Sequence, residues 1–491
     1  MTATSLLIGR NAAHWPVFGQ VWIAGVGLVG ATIVARVLGP DGYGLFFLAL
    51  TITSVVAIAV DLCVGQAILT RVEGYELRYG LWTRAAVLVT ATAATATVAL
   101  SLLFVRDAFD ALMWLILCAA LPLSAASMVP RAFLVLRGQL RFVSVVDVLS
   151  VVIGNVVAAA LILVWANPVA AALSPFLIAL TRYGALEYAF RAQRVGGRPV
   201  SDLAWRPGLQ SLRVAISGVY ISQLSGFASR NGGNLIVSAL LGPANLAFYS
   251  RAFSFLIGPL QQAQMALNPT MLRDASTAHR ADQTQAHLAR LVPRFFILLL
   301  PLSAALGAVG PELTALLLGP GWQATGQLMA ISAGLAVSMT VALPARWLLL
   351  AARDSTRLRV DSALQLSLLA GCAIGALLWG LPGSLLINAV FLGPLIAVVD
   401  WMLLPAPARR YFWRRAAPLA VLMSLVPFLL ATGLRALNTA QFTGNPLVTL
   451  IGGLLCGLLT TAVAYAVLAR SPRRASATRP DSPLDTHGSQ S

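Results

Sequence analysis

Ser229-Arg230-Asn231-Gly232-Gly233-Asn234, followed by Leu241-Gly242-Pro243 and then Tyr249-Ser250-Arg251, is the stretch that decides how this chain is read. It lies within residues 212–269, two long apolar segments joined at the Leu-Gly-Pro corner. An arginine about halfway along an apolar run costs about 2.5–3.5 kcal/mol on insertion scales. A chain that keeps one there is expected to hold an anion or a carboxylate against it. Arg230 is therefore expected to face a polar passage, and Gly232-Gly233 to loosen the helix beside it.

Outward from that stretch, the whole composition is apolar. The chain has 491 residues, is 58% hydrophobic and 10% charged, and has a mean hydropathy of +0.82. A soluble core of this size cannot hide so much apolar side chain. Repeated apolar runs of 20 or more residues predict a polytopic helical membrane protein. Cys63, Cys118, Cys372 and Cys456 all fall inside apolar runs, at spacings that suggest neither a metal site nor a disulfide framework. They read as small buried hydrophobes. The first apolar run is too long for a cleavable signal and reads as a span that stays.

About fourteen spans are expected, near residues 16–38, 43–69, 80–105, 111–129, 143–166, 168–190, 213–241, 245–269, 292–318, 325–350, 361–380, 383–404, 417–436 and 446–469. Arginine alternates between the connecting loops. It is dense after each even-numbered span, as in Arg131, Arg137 and Arg141, or Arg409, Arg410, Arg414 and Arg415. The odd-numbered loops hold almost none, Arg106 and Arg435 being the clear exceptions. Arginine-rich loops stay cytoplasmic, so both termini are expected inside. The net charge of +17 is then a matter of topology, and no nucleic-acid partner is needed.

The chain also repeats. Leu38-Gly39-Pro40, then Tyr43-Gly44-Leu45-Phe46, turns the chain between spans one and two; Leu241-Gly242-Pro243, then Leu246-Ala247-Phe248-Tyr249, does so between spans seven and eight. The prolines are 203 residues apart, which is six spans. An even offset gives both copies the same orientation, a parallel repeat about an axis along the membrane normal. The expected layout is an N-terminal six-helix bundle (1–192), a cytoplasmic linker (193–212), a C-terminal six-helix bundle (213–405), two additional helices (406–470) and a disordered cytoplasmic tail (471–491). The fold class is thus all-α: about 14 transmembrane helices, two parallel six-helix bundles plus two at the C-terminus.

No hydrolase or transferase centre, phosphate loop or metal-ligand spacing is found, so neither catalysis nor a cofactor is expected. The intramembrane polar residues carry the remaining signal. On span seven, Tyr220, Gln223, Arg230 and Asn234 fall at helical spacing. Span eight sets Arg251, Ser254, Gly258 and Gln261 on one face. Arg230, Asn234, Gln223, Arg251 and Gln261 are the candidate substrate-binding residues, because a guanidinium donates paired hydrogen bonds to a diphosphate. Two readings of Arg230 stay open: a pathway cation, or a partner for Asp61 that only holds helices together. Asp61 itself is read either as a coupling-proton site or as an ion-pair partner. Arg251 is near enough to a helix end to snorkel, and Arg36 nearer still. Asp147, Arg182 and Glu187, near the cytoplasmic ends, are expected to be structural. Gly25, Gly27 and Gly30 are expected to permit close helix packing.

Arg36-Val37-Leu38-Gly39-Pro40-Asp41-Gly42-Tyr43-Gly44, with Asp61-Leu62 and Gly65-Gln66-Ala67, resembles the start of the polysaccharide flippases of the multidrug/oligosaccharidyl-lipid/polysaccharide exporter superfamily. Tyr249-Ser250-Arg251-Ala252, Pro259-Leu260-Gln261-Gln262, Arg137-Gly138-Gln139-Leu140-Arg141-Phe142 and Leu318-Gly319-Pro320-Gly321-Trp322 are similar to later stretches of that family, and together the matches span residues 16–350. Gly233 stands where the family often has an acid, and Ser238-Ala239 where it often has glycine and a basic residue. The resemblance implies two bundles around a central cavity and a lipid-linked oligosaccharide on undecaprenyl diphosphate, turned across the bacterial inner membrane for exopolysaccharide, capsule or O-antigen assembly. It implies membrane lipids as partners and allows a polysaccharide polymerase complex. The alternatives are a cation-coupled multidrug exporter of the same superfamily, and a non-transporting scaffold in a synthesis complex. Such exporters tend toward an acid in the first span, and residues 16–38 contain none.

Overall fold

The computed structural model describes residues 14–60, 87–99, 107–192, 231–280, 283–352, 355–441 and 445–470. They are helical almost throughout, and each of the fourteen expected spans has helical residues among them. The first half comprises α1 (His14–Val60), α2 (Val87–Ala99), α3 (Ala108–Leu136), α4 (Leu140–Val164) and α5 (Pro168–Ala192). Next come α6 (Asn231–Leu241), α7 (Pro243–Arg280), α8 (Thr284–Ala308), the short α9 (Gly310–Leu317), α10 (Gln323–Ala352) and α11 (Ser355–Ile387). A π turn at Asn388–Leu392 leads into α12 (Gly393–Met402), and the chain ends with α13 (Ala406–Tyr411), α14 (Ala417–Gln441) and α15 (Pro446–Arg470).

The punctuation is that of the sequence. α1 contains the first expected span and the described part of the second, and breaks at Gly39, φ 68°, just before Pro40. Gly242, φ 90°, separates α6 from α7, and Gly319, φ 86°, precedes Pro320. Glycine enters this left-handed region without a Cβ penalty, and the proline that follows cannot continue the helix behind it. α11 breaks the same way at Trp379-Gly380, ahead of Pro382, between expected spans eleven and twelve. Gly138, φ 77°, closes α3 with the two crossed hydrogen bonds of a Schellman turn, Gly138 N–H to Val135 O and Gln139 N–H to Leu134 O. The ninth span differs from expectation, because Val309 ends α8 and α9 then carries the chain to the corner.

Within the apolar helices, hydroxyls find acceptors on their own backbone. Thr32 donates to Leu28 O at 2.7 Å, Ser332 to Leu328 O at 2.7 Å and Thr340 to Ala336 O at 2.8 Å. In hydrocarbon an unsatisfied donor costs several kcal/mol, so such bonds let polar residues ride in a span at little expense. In the first half, α5 packs on α3 and α4, and α1 on α4. In the second, α10 packs on α7, α8 and α12, while α14 and α15 pack on each other and on α8. α1 also packs along α7, which joins the two Leu-Gly-Pro corners.

Close packing falls on particular glycines only. A Cβ at Gly30 would run into the Asn155 side chain, whereas one at Gly25 or Gly27 would meet nothing within 4 Å. The expectation for the three glycines therefore holds at Gly30 alone. Asp147 bridges Arg131 at 3.0 Å and Arg182 at 2.9 Å across three helices, whereas Glu187 pairs with Arg191 at 2.7 Å within α5. Arg435, an arginine on the sparse side, meets Glu312 of α9 at 2.7 Å. Cys118, Cys372 and Cys456 are free thiols.

Candidate functional site

The end of the structure where the Leu-Gly-Pro corners gather is closed by side chains. Trp322, 1% exposed, packs edge-on against Tyr43 at 6.0 Å and Phe248 at 5.7 Å between ring centres. One of these aromatics follows the first corner and the other the second. The backbones meet as well, since a Cβ on Gly44 would fall on the carbonyl of Pro243. Arg36 reaches across to the third corner and donates to Leu316 O at 3.2 Å and Leu317 O at 3.5 Å. It was expected to snorkel; it is exposed, but its head group caps the end of α9 instead. Three corners far apart in sequence thus form one plug, because each Gly-Pro turn is followed within a few residues by an aromatic, Tyr43 and Phe248 inside the next helix and Trp322 just before it.

Arg251 lies beneath that plug, 4% exposed. Its guanidinium carbon stands 4.8 Å from the centre of the Tyr43 ring, a cation–π arrangement. Nη2 donates to Ser254 Oγ at 3.3 Å, while Nε and Nη1 have no hydrogen-bond partner. Snorkelling is excluded by this burial. The side chain is instead a desolvated cation held on an aromatic face, with donors left to give.

The other candidates are dispersed. Gln261 lines a small interior pocket of about 80 Å³ with Tyr249, Gln365, Cys372 and Asn388, apart from the Arg251 plug and ten residues further along α7. Asn234 is half-buried on α6. Gly232 and Gly233 are helical, so they do not break the span; they admit Leu369 and the Tyr249 hydroxyl against the backbone. The loosened helix expected there is replaced by close packing. Arg230, Gln223 and Asp61 lie outside the described residues, as do the linker 193–212 and the tail 471–491.

Two features were not read from the sequence. One is a groove of about 1270 Å³ between α8, α14 and α15. Arg290, Tyr411 and Arg415 stand at its arginine-rich end, and Leu422, Val426, Leu459 and Val463 are among the apolar residues along it. From Arg415 to Leu430 it follows 15 residues of helix, about 22 Å at 1.5 Å per residue. No acid lines it. The other is a buried cluster of Arg346, Asp361 and Asp400 on α10, α11 and α12. Each of these residues sits near the end of an expected span and reads singly as a surface charge; only the six-span repeat could have drawn them together.

A family profile described as polysaccharide biosynthesis protein matches residues 33–326. No curated protein matches the chain. Among solved structures, the inward-facing conformation of a multidrug resistance MATE family transporter of the MOP superfamily is similar with a TM-score of 0.58 and 14% identity, over 82% of this chain and 98% of that one. The lipid II flippase MurJ in an inward closed conformation is similar with a TM-score of 0.58 and 13% identity, over 96% of this chain and 99% of that one. At such identities the likeness is one of fold: an all-α polytopic membrane protein built as these transporters are.

Proposed function

The chain belongs to the polysaccharide biosynthesis protein family, and we propose that it turns undecaprenyl-diphosphate-linked oligosaccharide units from the cytoplasmic to the periplasmic leaflet of the bacterial inner membrane. The fold is one that membrane transporters share, and in this reading the chain is a transporter and not an enzyme. In this reading the arginine-rich ends and both termini are cytoplasmic. Residues 1–192 and 213–405 form the two like-oriented bundles, the last two helices complete the molecule, and the plug at Tyr43, Arg251 and Trp322 is the closed periplasmic gate.

The observation that carries the reading is the groove between α8, α14 and α15. It is long and apolar, no acid lines it among the described residues, and two exposed arginines stand at one end. That is the shape and charge order of a polyprenyl diphosphate, with a hydrocarbon tail along the helices and an anion at the membrane surface. Arginine suits the diphosphate because its fork gives paired hydrogen bonds, each charge-assisted bond contributing about 1.5–3 kcal/mol. From this mouth the head group would pass to Arg230, Gln223 and Asn234, with Gln261 and, once the gate opens, Arg251 further along. Alternating access then consists of opening the plug while the arginine-rich end closes.

The test is polymer export in cells that depend on this chain. Arg230→Ala is expected to abolish export with the protein still inserted and folded, and Arg230→Lys to retain part of it. Normal export by Arg230→Ala removes the pathway role. Normal export together with lost drug resistance points to a multidrug exporter.

A further inference from the structure

Two ionic clusters occupy matching places in the two halves of the repeat. In the first, Asp147 of α4 lies between Arg131 of α3 at 3.0 Å and Arg182 of α5 at 2.9 Å. In the second, Arg346 of α10 holds Asp361 of α11 at 3.4 Å and Asp400 of α12 at 2.9 Å, both on Nε. Arg131 and Arg346 are 215 residues apart, Asp147 and Asp361 214, Arg182 and Asp400 218. Three consecutive spans therefore contribute in each half, in the same order. What differs is the charge: Arg-Asp-Arg in the first, Arg-Asp-Asp in the second.

The surplus charge of the first cluster is solvated, because the Arg131 side chain is 43% exposed and that of Arg182 29%. The second has no such outlet. Asp400 is 0% exposed, Asp361 16% and Arg346 17%. Two carboxylates against one guanidinium would leave an uncompensated anion in a buried site, where a group gives up its charge rather than remain unpaired. Asp400 Oδ1 is buried and has no hydrogen-bond donor. The two carboxyl groups converge on the same nitrogen, Arg346 Nε. Asp361 takes a further hydrogen bond from Gln365 Nε2 at 3.2 Å.

Among the described residues, the elements packed on α12 bring no other charge to Asp400. Arg346 is the charged group of α10 that reaches it and Asp361 that of α11. The π turn at Asn388–Leu392 carries no charged residue, Arg409 and Arg410 of α13 are exposed, and Tyr411 is the buried titratable group of that helix. The missing donor at Oδ1 and the missing positive charge have one remedy in common, a proton.

We propose that Asp361 and Asp400 form a proton-binding site, holding one shared proton against Arg346 in this conformation. The proton sits on one carboxyl oxygen and is donated to the other carboxylate, which satisfies Oδ1 and brings the cluster to neutrality. Its release leaves two anions on a single guanidinium, and their repulsion loosens α12 from α11 and α10. None of its three residues lines the groove, and the site supplies a means of driving the helices of the second half with protons whatever the transported molecule is.

Trp401, next to Asp400, is a built-in reporter: its indole donates to Val341 O of α10 at 2.9 Å, and its ring stacks on Phe412. The experiment is infrared and tryptophan-fluorescence titration of the purified protein in lipid nanodiscs. Wild type is expected to show a buried protonated-carboxyl band at neutral pH. The band is lost on raising the pH, together with a shift in fluorescence. Asp400→Asn and Asp361→Asn each leave one carboxylate for Arg346, so the band and the fluorescence transition disappear. Asp147→Asn retains both. Asp400→Ala removes the carboxyl without adding a buried charge; it is expected to lose the band, which serves where an amide variant fails to insert. A band that survives in Asp400→Asn or Asp400→Ala overturns the proposal, and so does a wild type without one.

Discussion

The guanidinium of Arg251 lies 4.8 Å over the ring of Tyr43, and the two residues come from opposite halves of the repeat. This contact and the Trp322 ring across Tyr43 and Phe248 tie three corners into one closed end. The arrangement is closed but not relaxed. A desolvated cation–π contact returns about 2 kcal/mol, while each buried donor left without a partner costs about 1–3 kcal/mol, and Arg251 has two.

Replacing Arg251 by methionine therefore separates stability from transport. Arg251→Met keeps a side chain of similar reach and removes the orphan donors, so the closed form is expected to gain on the order of 1 kcal/mol. Thermal unfolding in detergent should show a raised Tm. Export should fall, because a diphosphate entering an opened gate finds no cation. A lower Tm with export intact would mean that Arg251 only braces the plug.

The corner itself is tested at Gly44. A methyl there runs into the Pro243 carbonyl, which belongs to backbone and cannot swing aside. Overpacking of this kind costs about 1–3 kcal/mol, so Gly44→Ala is expected to push the two corners apart. A cysteine introduced beside Trp322 should then become reactive toward a membrane-impermeant thiol reagent. Gly25→Ala is the control, since a Cβ at Gly25 meets nothing within 4 Å; its labelling and Tm should match wild type.

These residues also show what could be read before the fold was known. The Leu-Gly-Pro corners were legible because a positive-φ glycine followed by proline is a local signal, complete within three residues. Their meeting was not, since Gly44 and Pro243 are joined by tertiary packing of α1 on α7. Arg251 was ambiguous for the same reason: from sequence it was equally a snorkelling cation or a ligand, and the Tyr43 ring that decides its burial lies far away in the chain. Gly232-Gly233 misled because paired glycines signal both a loosened helix and a close approach, and only Leu369 and Tyr249 tell them apart. Arg346, Asp361 and Asp400 read as unrelated charges at span ends until the offset from Arg131, Asp147 and Arg182 aligns them.

The groove makes the sharpest demand on the proposed substrate. If a prenyl tail lies along α14 and α15 with its diphosphate at Arg290 and Arg415, the two ends of the groove should fail differently. Removing both cations, Arg290→Ala with Arg415→Ala, weakens capture of the anion by the 1.5–3 kcal/mol that about one lost charge-assisted bond represents, which is a loss of affinity of at least about tenfold. Leu422→Trp leaves the cations in place and fills the apolar channel between α8 and α15, so it should block long-chain substrates and spare a short-chain prenyl diphosphate analogue. Binding measured in nanodiscs with the two chain lengths reads both effects. The double alanine variant should weaken long and short analogues alike, whereas Leu422→Trp should weaken the long one only. Equal binding of the long analogue by Leu422→Trp and wild type would place the tail outside this groove, in the surrounding lipid.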